Sequence, residues 1–132
     1  MEIARVTDGE LNVLNVLWKN GSPGASGAMT ASEIVKELNR EIGWNRNTTY
    51  TFINRLVEKN IIKRSEPGFV CEALFTREEV SASEAKGFLD KMFGGSLKTM
   101  VASFLSGDYS AEEIAEVREI LARHKNGGSG DA

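Results

Sequence analysis

One cysteine, one histidine and two prolines are all that 132 residues hold of those types, and each scarcity excludes something. The single thiol, Cys71, cannot close an internal disulfide, so packing must hold the fold. One histidine and one cysteine do not make a zinc or catalytic site, and no metal is expected. A phosphate-binding glycine loop, a nucleophile elbow and a paired-carboxylate motif are also missing, so neither an enzyme nor a cofactor is expected. No run is apolar enough to span a bilayer. The start, Met1-Glu2-Ile3-Ala4-Arg5, lacks the basic-then-apolar order of a secretory signal, so a cytoplasmic protein without direct membrane binding is expected. Cys71 falls in a predicted strand and reads as a small buried hydrophobe before a redox sensor. His124 falls near the end of the last predicted helix, where it favours the C-terminal dipole.

What is present is ordinary globular material: 41% hydrophobic and 27% charged residues, with a length suited to one domain or two small ones. The net charge of −3 argues against indiscriminate nucleic-acid binding, but its distribution is uneven. Residues 1–77 carry 10 Lys+Arg against 9 Asp+Glu, and residues 78–132 carry 6 against 10. Within 46–64 the basic residues Arg46, Arg55, Lys59, Lys63 and Arg64 face one acid, Glu58, a local basic patch in an acidic chain.

Caps and periodicity divide the chain. Thr7-Asp8-Gly9-Glu10 fits a capping box before the apolar run from Leu11 to Trp18, predicting a first helix that ends near Asn20-Gly21. Residues 20–28, NGSPGASGA, read as a flexible surface loop. Thr30-Ala31-Ser32-Glu33 is a second box, opening a helix that ends near Ile42-Gly43. Asn45 is suited to cap a third. On that helix Thr49, Phe52, Ile53, Leu56 and Val57 share the inward face, while Asn47, Thr51, Asn54 and Glu58 lie opposite, flanked by Thr48, Tyr50 and Arg55. Short hydrogen-bonding groups in front, with charges at the edges, suit groove reading and phosphate gripping, respectively. A merely solvated face is the alternative. After Asn60 the period becomes that of strands: Ile61-Ile62-Lys63-Arg64, a turn at Glu66-Pro67-Gly68, then Phe69 to Phe75. Three helices and a hairpin predict a mainly α fold with a small β-hairpin wing, a winged helix-turn-helix over 1–77.

The run TTYTFINRLVEKNIIKR (48–64), the segment FLDKMFGGS (88–96) and the stretch from Glu112-Glu113-Ile114 to Leu121 together resemble the BlaI/MecI/CopY family of bacterial repressors. The resemblance implies a transcriptional repressor of the antibiotic-resistance type, a homodimer that binds a double-stranded inverted-repeat operator. It assigns base reading to Asn47, Thr48, Tyr50 and Thr51, in half-sites of the TACA/TGTA type, and sets Arg55 toward the backbone. Asn54 lies on the same face, and Arg46, Lys63 and Arg64 would supply phosphate contacts. Copper-responsive relatives carry a C-terminal cluster of four cysteines, and none stands here.

The remainder, 78–126, reads as a helical dimerisation domain followed by a flexible tail, 127–132. A helix starting at Ser83-Glu84 carries Phe88, Leu89, Met92 and Phe93. Gly94-Gly95 breaks it, and Ser96 caps a second helix with Leu97, Met100, Val101, Phe104 and Leu105. Ser110-Ala111-Glu112-Glu113 boxes a third helix, with Ile114, Val117 and Leu121. An intramolecular core is the ordinary reading of such stripes, but the resemblance turns them into a dimer face. It also implies that a membrane sensor metalloprotease cuts in this region, at the bond matching Ser103-Phe104; otherwise Phe104 is only a core residue. A different reading is a winged-helix protein-interaction module that uses Tyr50 and Phe69 as anchors.

Overall fold

The computed structural model describes residues 2–20 and 28–128, in two compact units that divide between Phe88 and Leu89. The first unit contains α1 (Asp8–Asn20), β1 (Ala28–Thr30), α2 (Ala31–Ile42), α3 (Arg46–Glu58), β2 (Ile62–Ser65), β3 (Val70–Ala73) and most of α4 (Arg77–Phe93). This order, with a hairpin directly after the third helix, is that of a winged helix-turn-helix.

Each expected cap is formed. The Thr7 hydroxyl accepts from the Glu10 N–H (3.3 Å) while the Thr7 N–H donates to Glu10 Oε1 (2.9 Å). Thr30 and Glu33 make the same exchange at α2, and Asn45 Oδ1 accepts from the Thr48 N–H (2.8 Å) at α3. Gly43 ends α2 at φ +74°, a left-handed conformation that lets its N–H reach the Asn39 carbonyl (3.0 Å). The tight turn it makes carries the chain straight into α3.

Val13, Leu14 and Leu17 of α1, Ile34 and Leu38 of α2, Ile53 and Leu56 of α3, and Ile61, Ile62 and Cys71 of the wing bury almost completely in one core. Each full-sized aliphatic side chain among them contributes about 1.5–3 kcal/mol by leaving water. Gly9 sets how closely α1 and α3 approach: a Cβ there would stand against Cζ of Phe52 and lie 2.5 Å from Cε1. The Phe52 ring fills that gap and stacks on Trp44, with ring centroids 5.0 Å apart.

The sheet is antiparallel in the order β1-β3-β2, with Met29 opposite Cys71 and Arg64 also opposite Cys71 from the other side. Three features differ from the sequence expectation. Strand β1 was not anticipated and begins at Ala28, at the end of the predicted loop; residues 21–27 of that loop lie outside the described residues. Helix α4 starts at Arg77 rather than at Ser83, because Thr76 and Glu79 form another capping exchange (Glu79 N–H to Thr76 Oγ1, 3.1 Å; Thr76 N–H to Glu79 Oε1, 2.8 Å). Its first turns belong to the first unit, where Val80 is buried and the Arg77 guanidinium lies 4.9 Å from the Trp18 ring. Helix α6 runs to Gly128, into the segment expected to be tail, of which 129–132 lie outside the described residues.

The second unit comprises the last turn of α4, α5 (Leu97–Leu105) and α6 (Ala111–Gly128). Gly94 (φ +59°) and Gly95 (φ +82°) make the break after α4, and Ser96 caps α5 by accepting from the Thr99 N–H (3.1 Å). Ser110 Oγ caps α6 through the Glu113 N–H (3.0 Å). None of the residues whose burial is described from Leu89 onward is buried. Among the described residues no helix is long and apolar enough to cross a membrane.

Candidate nucleic-acid interface

Helix α3 presents the polar row to solvent. Asn47, Thr51 and Asn54 are exposed, Thr48 is half-buried beside them, and Thr49, Ile53 and Leu56 are buried on the opposite face. The Thr51 hydroxyl donates to the Asn47 carbonyl (2.9 Å), which fixes its rotamer and leaves its methyl and an oxygen lone pair for other contacts. Arg46 stands at one end of the row with its guanidinium 5.1 Å from the Tyr50 ring. Arg55 stands on the other flank, 5.3 Å from the Phe52 ring. Both cations rest on aromatic faces of their own helix, positioned without being neutralised.

The wing adds Lys63 and Arg64, both exposed on β2. Lys63 pairs across the ladder with Glu72. Arg64 donates its Nε to Glu66 (2.6 Å) and lies over the Phe69 ring at 3.6 Å. Glu66 also accepts from the Phe69 N–H (3.2 Å), and the Arg64 hydrogen bond, followed by that N–H, holds its carboxyl below the ordinary carboxylate range. Phe69 has φ +50°, a conformation that costs a bulky residue about 1–3 kcal/mol. Three contacts offset that cost: the Glu66 carboxylate, the Ala31 N–H on its carbonyl (2.9 Å) and the edge-on Tyr50 ring (5.6 Å).

The basic surplus counted along 46–64 is therefore smaller on the surface than in the sequence. Lys59 turns inward, donating to Glu10 Oε1 (2.7 Å) and to the Arg5 carbonyl (2.8 Å). Burial alone would raise the Glu10 carboxyl. The Lys59 hydrogen bond and charge, with the Thr7 N–H, outweigh it and hold the group below its usual value. Sequence reasoning read Glu66 only as part of a turn and Phe69 only as an anchor for a protein partner, and missed that the two fix Arg64. Tyr50 and Phe69, considered as anchors for a protein partner, pack against each other and are each half-buried.

The expected dimerisation residues lie on α4, α5 and α6, and none of them is buried. Phe88, Met92, Leu97, Phe104, Leu105 and Leu121 are 44–58% exposed and Val117 is 39% exposed, while Leu89, Phe93, Met100, Val101 and Ile114 are half-buried. Ile120 (54%) and Tyr109 (53%) add apolar surface that the sequence reading did not include. Phe93 and Phe104 meet edge to face at 6.4 Å. Ser103 and Phe104 both lie in α5 and are exposed. Among the described residues no group of His, Cys, Asp and Glu could hold a metal ion.

The model of the family described as "Penicillinase repressor" matches residues 6–123. The chain is 32% identical over 128 residues to the penicillinase repressor of Bacillus licheniformis, covering 95% of each chain. It is 33% identical over 115 residues to the penicillinase repressor of Staphylococcus aureus, covering 85% of this chain and 86% of that one. Among solved structures, the solution structure of the DNA-binding domain of the repressor BlaI aligns at 28% identity with a TM-score of 0.45, covering 57% of this chain and 85% of that one. With its match running through both units, this chain belongs to the penicillinase repressor family, a family of DNA-binding transcriptional repressors rather than enzymes.

Proposed function

We propose that the chain represses transcription as a homodimer on an inverted-repeat operator, each protomer laying α3 in a major groove. The observation that carries this is the exposed row Asn47, Thr51, Asn54, with Thr48 at its side, on a helix whose other face is locked in the core. Threonine methyls pack on thymine methyls and asparagine pairs with adenine through two hydrogen bonds, which suits half-sites of the TACA/TGTA type. Arg46, Arg55, Lys63 and Arg64 grip phosphates on either side. The exposed apolar set of the second unit, in which no residue of described burial is buried, supports a partner of the same sequence.

Two joined reading heads bind far more tightly than one, because the second contact is made at high effective concentration. Cleavage at Ser103-Phe104 by a membrane sensor metalloprotease would remove Phe104, Leu105 and α6 from that surface and so empty the operator. Helix α5 suits a protease: it has nine residues and none is buried, so opening it locally costs little.

The test is fluorescence anisotropy of a labelled TACA/TGTA inverted-repeat duplex beside a scrambled one, with wild-type and Thr51→Ala protein. Binding to the repeat alone, weakened by about 1–3 kcal/mol in the variant, is expected. Equal binding to both duplexes would remove the sequence-specific reading. Sedimentation equilibrium of Met92→Lys beside wild type tests the dimer: the variant is expected to run as a monomer.

A further inference from the structure

Four side chains join the recognition helix to the wing in one continuous stack. Arg46 lies over Tyr50, Tyr50 meets Phe69 edge-on, and Arg64 lies over Phe69 at 3.6 Å, with its Nε bound to Glu66. Two cations proposed to grip phosphates thus cap a pair of rings, one ring from α3 and one from the wing. A strained residue sits in the middle. Phe69 holds φ +50°, and the Glu66 carboxylate that binds its N–H is the same group that binds Arg64. A bulky residue kept in that conformation by three separate contacts marks a place where geometry is over-determined.

We propose that Glu66, Phe69 and the ring of Tyr50 are positioning residues for operator binding: they preset the Arg64 guanidinium, and with it the distance between the wing's phosphate contact and that of α3. The proposal rests on the DNA-binding reading above. Arg64 has two terminal nitrogens that no hydrogen bond engages among the described residues, which leaves them available for a phosphate. Stacking and the Nε bond remove rotamer freedom that the side chain would otherwise lose on binding. Glu66 strengthens DNA binding although it brings a negative charge to the interface.

That last consequence separates positioning from plain electrostatics. Anisotropy titrations of the inverted-repeat duplex, between roughly 50 and 200 mM salt, would compare wild type with Arg64→Ala, Glu66→Gln, Phe69→Leu and the doubles carrying Arg64→Ala. Arg64→Ala is expected to lower the salt slope by about one. Glu66→Gln and Phe69→Leu are expected to weaken binding several-fold alone but not further on the Arg64→Ala background, the signature of coupled residues. Phe69→Tyr, which keeps the ring, should restore binding. Tighter binding by Glu66→Gln, or losses that add to that of Arg64→Ala, would overturn the positioning role while leaving DNA binding intact. Failure of wild-type protein to distinguish the repeat from scrambled DNA would overturn the repressor reading, and this inference with it. Should Phe69→Leu fail to fold in a thermal melt, the Glu66→Gln pair decides alone.

Discussion

Replacing Lys59 by methionine keeps the aliphatic stem and removes the cation on Glu10, whose side chain is 1% exposed. The contact is made at 2.7 Å, and among the described residues the other carboxylate oxygen, Oε2, has no hydrogen-bond partner, so the remaining charge would be held by Thr7. Breaking a buried pair in this way costs about 3–5 kcal/mol. Lys59 is 30% exposed and Thr7 keeps its bonds, which puts the expected loss near the lower end, about 3 kcal/mol. For a unit of this size that is a fall in Tm of roughly 12–24 °C. The pH dependence should also change sign. In the wild type Glu10 titrates below its ordinary value of 4.5, so it stabilises the fold above that pH and the contribution is lost as pH falls through the lowered folded value. Without Lys59, desolvation dominates and the carboxyl rises above 4.5; the group then favours folding only at lower pH, and stability drops as pH climbs. Urea titrations followed by fluorescence of Trp18 and Trp44, from about pH 4.5 to about pH 7.5, would read both effects. Glu10→Gln on the variant background should recover part of the loss. A loss below about 1 kcal/mol with an unchanged pH slope would refute the buried-pair reasoning.

Gly9→Ala should destabilise by about 1–3 kcal/mol in a denaturant titration, because its Cβ meets the Phe52 ring, although alanine is the better helix former; Phe52→Leu on the same background should return part of it. Thr49→Val should raise stability by about 1 kcal/mol, since the buried Thr49 hydroxyl has no hydrogen-bond partner among the described residues. Cys71 is buried and its thiol is pushed up to about 11, chiefly by desolvation, so a thiol reagent at neutral pH should label native protein no faster than the first unit unfolds. Rapid labelling in the absence of denaturant would show an exposed thiol.

Local signals in the sequence carried most of the fold. Thr7 with Glu10, Thr30 with Glu33, and Asn45 with Thr48 lie within three residues of each other, so their hydrogen bonds are written in the spacing. The polar row of α3 followed from the same periodicity that buried Ile53 and Leu56. Strand β1 escaped because three residues with only Met29 buried have no alternation to detect. The start of α4 at Thr76 carried an ordinary cap signature, but it came directly after an expected strand and was passed over. The destinations of Lys59 and Arg64 were not legible. One partner, Glu10, is 49 positions away, and the other depends on a turn that bends Glu66 and Phe69 back onto β2. Counting charges along a segment treats every cation as free; tertiary pairing decides which ones are.

The pairing of β1 with β3 has a kinetic consequence. Helices α1, α2 and α3 are adjacent in the chain and assemble through short loop closures, whereas Met29 and Cys71 belong to segments separated by about forty residues, whose joining costs more chain entropy. The central strand therefore gains its second neighbour late, after the helical core has made the site against which it docks. Loss of the Met29 side chain should then quicken unfolding and leave the folding rate nearly unchanged, so the half-life of the folded protein depends on a three-residue strand at the sheet's edge.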